Sequence, residues 1–332
     1  MRSIKLLKTH MKQVTVLVSE LLFFATVVEL PAVSQTSAKP PLPAASHKSA
    51  HSGSIARTPY LGAIVVEATT GKVLFEQGAD VKGYPASVLK LMDLLIILGK
   101  VEHGQLSLQD AVPVSAKAAK TGGSQVWLAE KESFSVDEML YALMVQSAND
   151  AAVALAEKVA GSTDAFVELM NRKAKELGMT STVFHSVHGL PPAAGQEHDV
   201  TTARDLSILC RELLKHADTL RYTSTRERKF RPDAGDKTVV MRTHNHLLGH
   251  VEGCDGLKTG YIAQAGFSIA VTASRNHQRI VAVVLDSTDL KTRDSNASAL
   301  VAKGFNALAQ TSSSVPVAPS QHANSAAIPS AH

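Results

Sequence analysis

At 332 residues the chain is long enough to bury a substantial core, as one large domain or two modest ones. Its 45% hydrophobic and 19% charged content is that of an ordinary globular protein. Half of the formal net charge of +4 sits in the first 34 residues, where Arg2, Lys5, Lys8 and Lys12 outnumber Glu20 and Glu29; the near-neutral remainder excludes nucleic acid as an expected partner.

The chain begins with a basic stretch from Arg2 to Lys12, an apolar run from Val14 to Leu30 and small residues at Ala32-Val33-Ser34. This order predicts an export signal over residues 1–34, with Met11 as an alternative start. Glu20 and Glu29 make the run a poor membrane span, so membrane contact is expected only if the segment stays uncleaved. Residues 35–58, rich in Ser, Ala, Pro, Lys and His, read as a disordered linker, and residues 311–332 as a matching tail. One folded block, 59–310, lies between them.

Within the block, Leu61 to Ala68 and Val73 to Gln77 flank the turn Thr69-Thr70-Gly71-Lys72 and predict a hairpin. A helix starting at Ser87 is apolar on nearly every face through Leu98, which marks it as buried. Ser135-Val136-Asp137-Glu138 has the capping-box pattern and opens a helix towards Gln146. Further helices are expected over Asp150–Ala160, over Asp164–Leu177 with Gly178 as its stop, and over Ala203–His216 behind the Thr201/Thr202 cap. Phe267–Ser274 and Arg279–Leu285 form a second hairpin around Arg275-Asn276-His277-Gln278, followed by a helix from about Asp294 to Leu308. Strands at both ends and helices between them predict an α+β fold, an antiparallel sheet built from both termini and flanked by helices, with an inserted all-helical subdomain.

Three short strings carry chemistry: Ser87-Val88-Leu89-Lys90, Ser147-Ala148-Asn149 and Lys258-Thr259-Gly260. A serine hydroxyl is a weak nucleophile that needs a base, and residues three apart on a helix share a face, so Lys90 can serve Ser87. At the first turn of its helix Ser87 also meets the positive end of the dipole, where N–H groups hold an oxyanion. Lys90 accepts a proton only when neutral; from an ordinary pKa near 10.4 that costs roughly 4–5 kcal/mol at pH 7, so burial plus a second cation, Lys258, are expected to lower it. Taken singly, each string has a plainer reading: a chance helix start, an N-cap at Asn149, a solvated turn at Lys258. In this order they match the set shared by penicillin-binding proteins and class A β-lactamases.

The resemblance extends beyond the strings. Gln146-Ser147-Ala148-Asn149-Asp150-Ala151, Val187-His188-Gly189-Leu190, Thr202-Ala203-Arg204-Asp205-Leu206 and Asp255-Gly256-Leu257-Lys258-Thr259-Gly260-Tyr261 resemble segments of the D-alanyl-D-alanine carboxypeptidase family, the low-molecular-mass penicillin-binding proteins of peptidase family S11. That resemblance implies a penicillin-binding-protein/β-lactamase-like transpeptidase fold and a serine peptidase that removes the terminal D-alanine from peptidoglycan stem peptides, with β-lactam antibiotics as inhibitors. It implies Ser87 as acyl-ester nucleophile, Lys90 as its proton acceptor and Ser147 as the relay to the leaving D-alanine. Asn149, Lys258, Thr259, Gly260 and Tyr261 would bind substrate, the N–H groups of Ser87 and Tyr261 would hold the oxyanion, and Arg293 would take the terminal carboxylate as a guanidinium fork. No cofactor is implied.

Asp93 departs from the pattern, standing where the family has a small hydroxyl residue. One turn from Lys90, its charge would raise the lysine pKa and oppose activation; facing the core instead, it would need a partner. The family's C-terminal β-domain and amphipathic anchor have no counterpart after Leu308, so attachment by that route is not expected. His244-Asn245-His246 and His250 cluster without an acidic partner or a His-Glu-x-x-His pattern, so no metal is expected. Cys210, on a predicted helix, and Cys254, in a predicted loop, read as free thiols. A class A β-lactamase would need a deacylating glutamate, which Val183 to Leu190 does not supply. A D-Ala-D-Ala endopeptidase would use the same machinery, and a weakly active peptidoglycan-binding protein would have Asp93 as its disabling change.

Overall fold

The computed structural model describes residues 54–313; the expected export signal, most of the expected linker and most of the expected tail lie outside the described residues. In chain order, β1 (Gly62–Glu67) and β2 (Val73–Gln77) form the first hairpin, and a 3₁₀ turn over Ala86–Leu89 leads into α1 (Lys90–Glu102). Then come β3 (Ala111–Pro113), α2 (Ala116–Ala119), β4 (Ser133–Ser135), α3 (Val136–Tyr141) and a π-helical turn over Ala142–Gln146. The helices α4 (Asn149–Ala160), α5 (Thr163–Glu176), α6 (Ala203–Leu213) and α7 (Thr219–Thr223) follow, with the ribbon of β5 (Glu227–Phe230) and β6 (Val239–Arg242). The chain returns through β7 (Cys254–Ile262), β8 (Gly266–Arg275) and β9 (Gln278–Ser287) to α8 (Leu290–Ser313).

The five long strands make one antiparallel sheet in the order β2-β1-β9-β8-β7. It is built from both ends of the folded block because β1 pairs with β9, Ile64 opposite Val283. Its middle strands are apolar on both faces, as strands covered on both sides must be. Ile64, Val66, Val281, Val283 and Leu285 face the large core under α1, α4, α5 and α6. Ala63, Val65, Ile280, Ala282 and Val284 face Ala297, Leu300 and Val301 of α8. The alternation within β1 and β9 is the period of two that a strand imposes.

Turn and cap chemistry sets most boundaries. The β8–β9 turn places Asn276 and His277 at φ 49° and 62°, the left-handed pair a tight hairpin needs. Ser162 and Thr202 accept hydrogen bonds from Ala165 N and Asp205 N at 3.1 and 3.0 Å, starting α5 and α6. Asp289 does the same for Thr292 N at 2.8 Å, so α8 begins at Leu290 rather than at the expected Asp294.

Other expectations are corrected. Ser87 lies in the 3₁₀ turn ahead of α1, not in the first turn of the α-helix. The helix expected to reach Gln146 ends as α3 at Tyr141 and continues as a π turn, and α6 stops at Leu213 short of His216. The insert between β2 and β7 carries the ribbons β3–β4 and β5–β6 besides its helices. Cys254 opens a strand rather than lying in a loop; it and Cys210 are free thiols.

Candidate active site

Four elements converge on one cleft. The 3₁₀ turn supplies Ser87, the first residue of α1 supplies Lys90, the end of the π turn supplies Ser147, and the first residue of α4 supplies Asn149. The edge strand β7 runs past them with Lys258, Thr259, Gly260 and Tyr261, and α8 contributes Arg293. Ser87, Ser147, Thr259, Gly260, Tyr261 and Arg293 all line one cavity of about 290 Å³.

Backbone geometry prepares the approach. Ala86 and Ser147, neither of them glycine, sit at φ 45° and 61°, costly conformations of the sort that cluster at functional sites. Gly260 is a glycine because of closeness: a Cβ there would lie 2.6 Å from the Pro85 carbonyl and 3.1 Å from Ser87 N. The strand backbone therefore passes against the N–H of Ser87.

Lys90 is fully buried, with Nζ 2.8 Å from Ser87 Oγ, 2.7 Å from Asn149 Oδ1, 3.1 Å from the His188 carbonyl and 3.5 Å from Ser147 Oγ. Two of these neighbours, the Asn149 amide oxygen and the His188 carbonyl, can only accept. A neutral amine donates its two hydrogens to them and turns its lone pair to Ser87. Burial brings the lysine down to about 7, against the opposing pull of Asp93, Asp150 and Asp199. Lys258 is likewise held well below the ordinary lysine value, by burial first and then by the charges of Lys90 and Arg293. Lys258 Nζ donates to the Thr259 carbonyl at 2.9 Å.

The N-cap reading of Asn149 fails, because Ala148 occupies that position and the Asn149 side chain spans the site, its Nδ2 donating to the Gly122 carbonyl at 2.8 Å. Asp93 is buried and neither of its carboxylate oxygens has a hydrogen-bond partner. An ionised carboxylate without a donor is expensive in such a place; burial pushes Asp93, one turn from Lys90, well above the usual carboxylate range, against the pull of Lys90. Arg293, nearly buried, donates from Nε and Nη2 to Asp294 Oδ1 at 2.8 and 2.6 Å, and His246 Nδ1 lies 2.9 Å from Asp294 Oδ2.

Residues 50–289 match the family model for D-alanyl-D-alanine carboxypeptidase, peptidase S11. The chain belongs to that family. It is 35% identical over 244 residues to D-alanyl-D-alanine carboxypeptidase DacF of Bacillus subtilis, covering 74% of this chain and 61% of DacF. The D-alanyl-D-alanine endopeptidase of Pseudomonas aeruginosa is 30% identical over 227 residues, 68% of this chain and 70% of that protein. Among solved structures, penicillin-binding protein D2 of Listeria monocytogenes in its ampicillin-bound form superposes with a TM-score of 0.66 at 32% identity, over 74% of this chain and 97% of that one. The chain thus spans about three fifths of the length of the DacF-type relatives it matches.

In this family member the cleft also holds residues that the motif search did not assign. Ser124, His244 and His246 line the same cavity as Ser87. The His244 ring is open to the cleft, yet protein surrounds it closely enough that burial, then Lys258 and Arg293, lower it to about 4. His188 is likewise brought to about 4 by burial and by Lys90 and Lys117; its Nδ1 accepts from Leu190 N at 3.1 Å, as a neutral ring can. A Cβ on Gly189 would land on the Ala86 carbonyl, so this loop packs directly on the turn holding Ser87. The resembling segments include His188; the sequence marks His244 and His246 only as members of a histidine cluster without metal-site character.

Proposed function

We propose that the chain is a serine-type D-Ala-D-Ala carboxypeptidase of peptidoglycan stem peptides, inhibited by β-lactams through acylation of Ser87. The observation that carries this reading is the environment of Lys90, a buried amine whose Nζ lies 2.8 Å from Ser87 Oγ, 2.7 Å from Asn149 Oδ1 and 3.1 Å from the His188 carbonyl oxygen, so that as the free amine it can donate to the latter two and accept the Ser87 proton. Ser87 Oγ attacks the carbonyl carbon of the penultimate D-alanine while Lys90 takes its proton. The oxyanion sits against the N–H groups of Ser87 and Tyr261. Ser147, within 3.5 Å of Lys90 Nζ, passes the proton to the departing amine of the terminal D-alanine, breaking the C–N bond and leaving an acyl ester. Water then attacks the ester carbonyl and gives a proton to Lys90, which returns it to Ser87 Oγ as the ester C–O bond breaks and the shortened peptide leaves.

Lys258, Thr259 and Arg293 bind the anionic end of the substrate, and Asn149 its amide. Among the described residues no carboxylate lines the catalytic cavity, and Glu197 pairs with His185 in a separate cavity, which argues against a β-lactamase that deacylates by a glutamate. The ampicillin-bound relative supports recognition of β-lactams. We assign export to the N-terminal segment and action in the periplasm or cell envelope; among the described residues no helix is long and apolar enough to cross a membrane.

Release of free D-alanine from a stem pentapeptide tests this reading. The similarity to an endopeptidase favours a second one, cleavage of a D-Ala cross-link by the same residues. Preferential release of monomers from cross-linked dimers, with little D-alanine from the pentapeptide, would decide for it.

A further inference from the structure

Beside the catalytic cleft lies a second groove that the proposed chemistry does not use. It has a volume of about 550 Å³, and Trp127, Val240, Glu132, Gln146, Asp236 and Lys237 are among its walls. Trp127 is the only tryptophan of the chain and is 64% exposed, while its neighbours Val126 and Leu128 are buried. Its backbone is held at φ 52°, and the holding groups can be named. Val126 N and Leu128 N donate to the Asp150 carboxylate at 3.2 and 3.0 Å. Arg231, 8% exposed, donates to the Val126 and Trp127 carbonyls at 2.9 and 3.1 Å. A flat apolar ring is thus fixed outwards by a strained, pinned backbone, the arrangement expected of a recognition surface rather than of a side chain left over from the core.

The groove is tied to the catalytic machinery through neighbouring chain positions. Gln146 in its wall precedes Ser147, and Ser124, three residues before Trp127, lines the catalytic cavity and accepts from Asn149 N at 2.7 Å. We infer that this groove is a subsite for the glycan strand of peptidoglycan, in which the apolar face of an N-acetylated amino sugar stacks on the Trp127 indole. The inference rests on the peptidoglycan substrate proposed above.

The lining favours a sugar over other occupants. Glu132 is neutralised by its ion pair with Arg231, and Asp236 stands next to Lys237 in sequence, so no net charge selects an ion. One flat aromatic with Val240 beside it, rimmed by an amide and charged groups, suits a pyranose, which offers C–H groups on its face and hydroxyls and an acetamide at its edge. A stem pentapeptide extends about 17 Å, so the sugar that carries it can reach a surface starting one residue from Ser147.

Because Trp127 is the only tryptophan, the emission of the full chain reports on this groove alone. Titration with peptide-free oligomers of alternating N-acetylglucosamine and N-acetylmuramic acid should give a saturable shift in emission, undiminished after penicillin has blocked Ser87. In Trp127→Ala and Trp127→Phe the KM for polymeric peptidoglycan, divided by that for free pentapeptide, should rise about tenfold and by less, respectively. Emission indifferent to the glycan, or moved only by free pentapeptide, would overturn the inference, as would an unchanged KM ratio. Absence of D-alanine release from every substrate would instead defeat the proposed function, and the titration would still decide the groove.

Discussion

The Nζ of Lys90 stands 2.8 Å from Oγ of Ser87 at the junction of a 3₁₀ turn and an α-helix. In one continuous α-helix the two would be an ordinary i,i+3 pair; here the 3₁₀ turn carries the serine against β7, and burial draws the lysine down to about 7.

The first prediction follows from that value. The reactive form is the free amine, so acylation should rise with pH along a limb centred near 7 and level off above it. Lys90→Ala should lower the acylation rate by about 10²-fold or more with the fold retained, measured as penicillin acylation rate against pH. A rate flat from pH 5 to 9 would remove the lysine from the base role.

Asp93 gives a prediction about stability. Its pKa is raised in the fold, so relative to an unfolded carboxyl it favours the folded state below the ordinary value near 3.9 and loses that contribution as pH rises towards the raised one. Asp93→Asn cannot ionise, so its stability relative to the parent should improve with pH by up to about 1.4 kcal/mol per unit over that window. Thermal melts from pH 4 to 8 measure the gap. Because the charge of Asp93 pulls Lys90 upwards, the acylation limb in Asp93→Asn should move to lower pH; a limb that stays in place would mean the carboxyl carries no charge beside Lys90.

Gly260 is predicted to tolerate no side chain. Gly260→Ala would press a Cβ on the Pro85 carbonyl and Ser87 N, costing about 1–3 kcal/mol of stability and displacing β7 from the oxyanion position. Acylation should fall at least tenfold more than the melting shift accounts for.

How much of this was legible in the residues depended on whether the signal was local. Alternation in β1 and β9, the Asn276-His277 turn and the Ser162 and Thr202 caps are short-range devices, and each acts where the sequence places it. β7 was not readable as a strand, because Gly256, Lys258 and Gly260 are poor strand formers; it is a strand because β8 pairs with it from Cys254 to Ile262. The π turn after Tyr141 has the same apolar residues an α-helix would use. The three motifs named Ser87, Lys90, Ser147, Asn149 and Lys258, but only the tertiary fold shows Asn149 and the His188 carbonyl sharing Lys90, or Asp93 buried without a donor.

Arg293 bears on substrate recognition. Its guanidinium is fixed by Asp294 at the edge of the catalytic cavity. Arg293→Lys keeps the charge and loses the fork, so KM for a pentapeptide should rise about 10- to 100-fold, as expected for loss of a charge-assisted hydrogen bond. The change in kcat should be smaller. An equal fall in kcat with KM unchanged would place the arginine outside substrate binding.

The most direct test of the account is the mass of the protein after incubation with a penicillin, followed by peptide mapping. One drug mass should be added, on the peptide containing Ser87, and Ser87→Ala should take up none. Addition that persists in Ser87→Ala, or that maps to another peptide, would contradict the account.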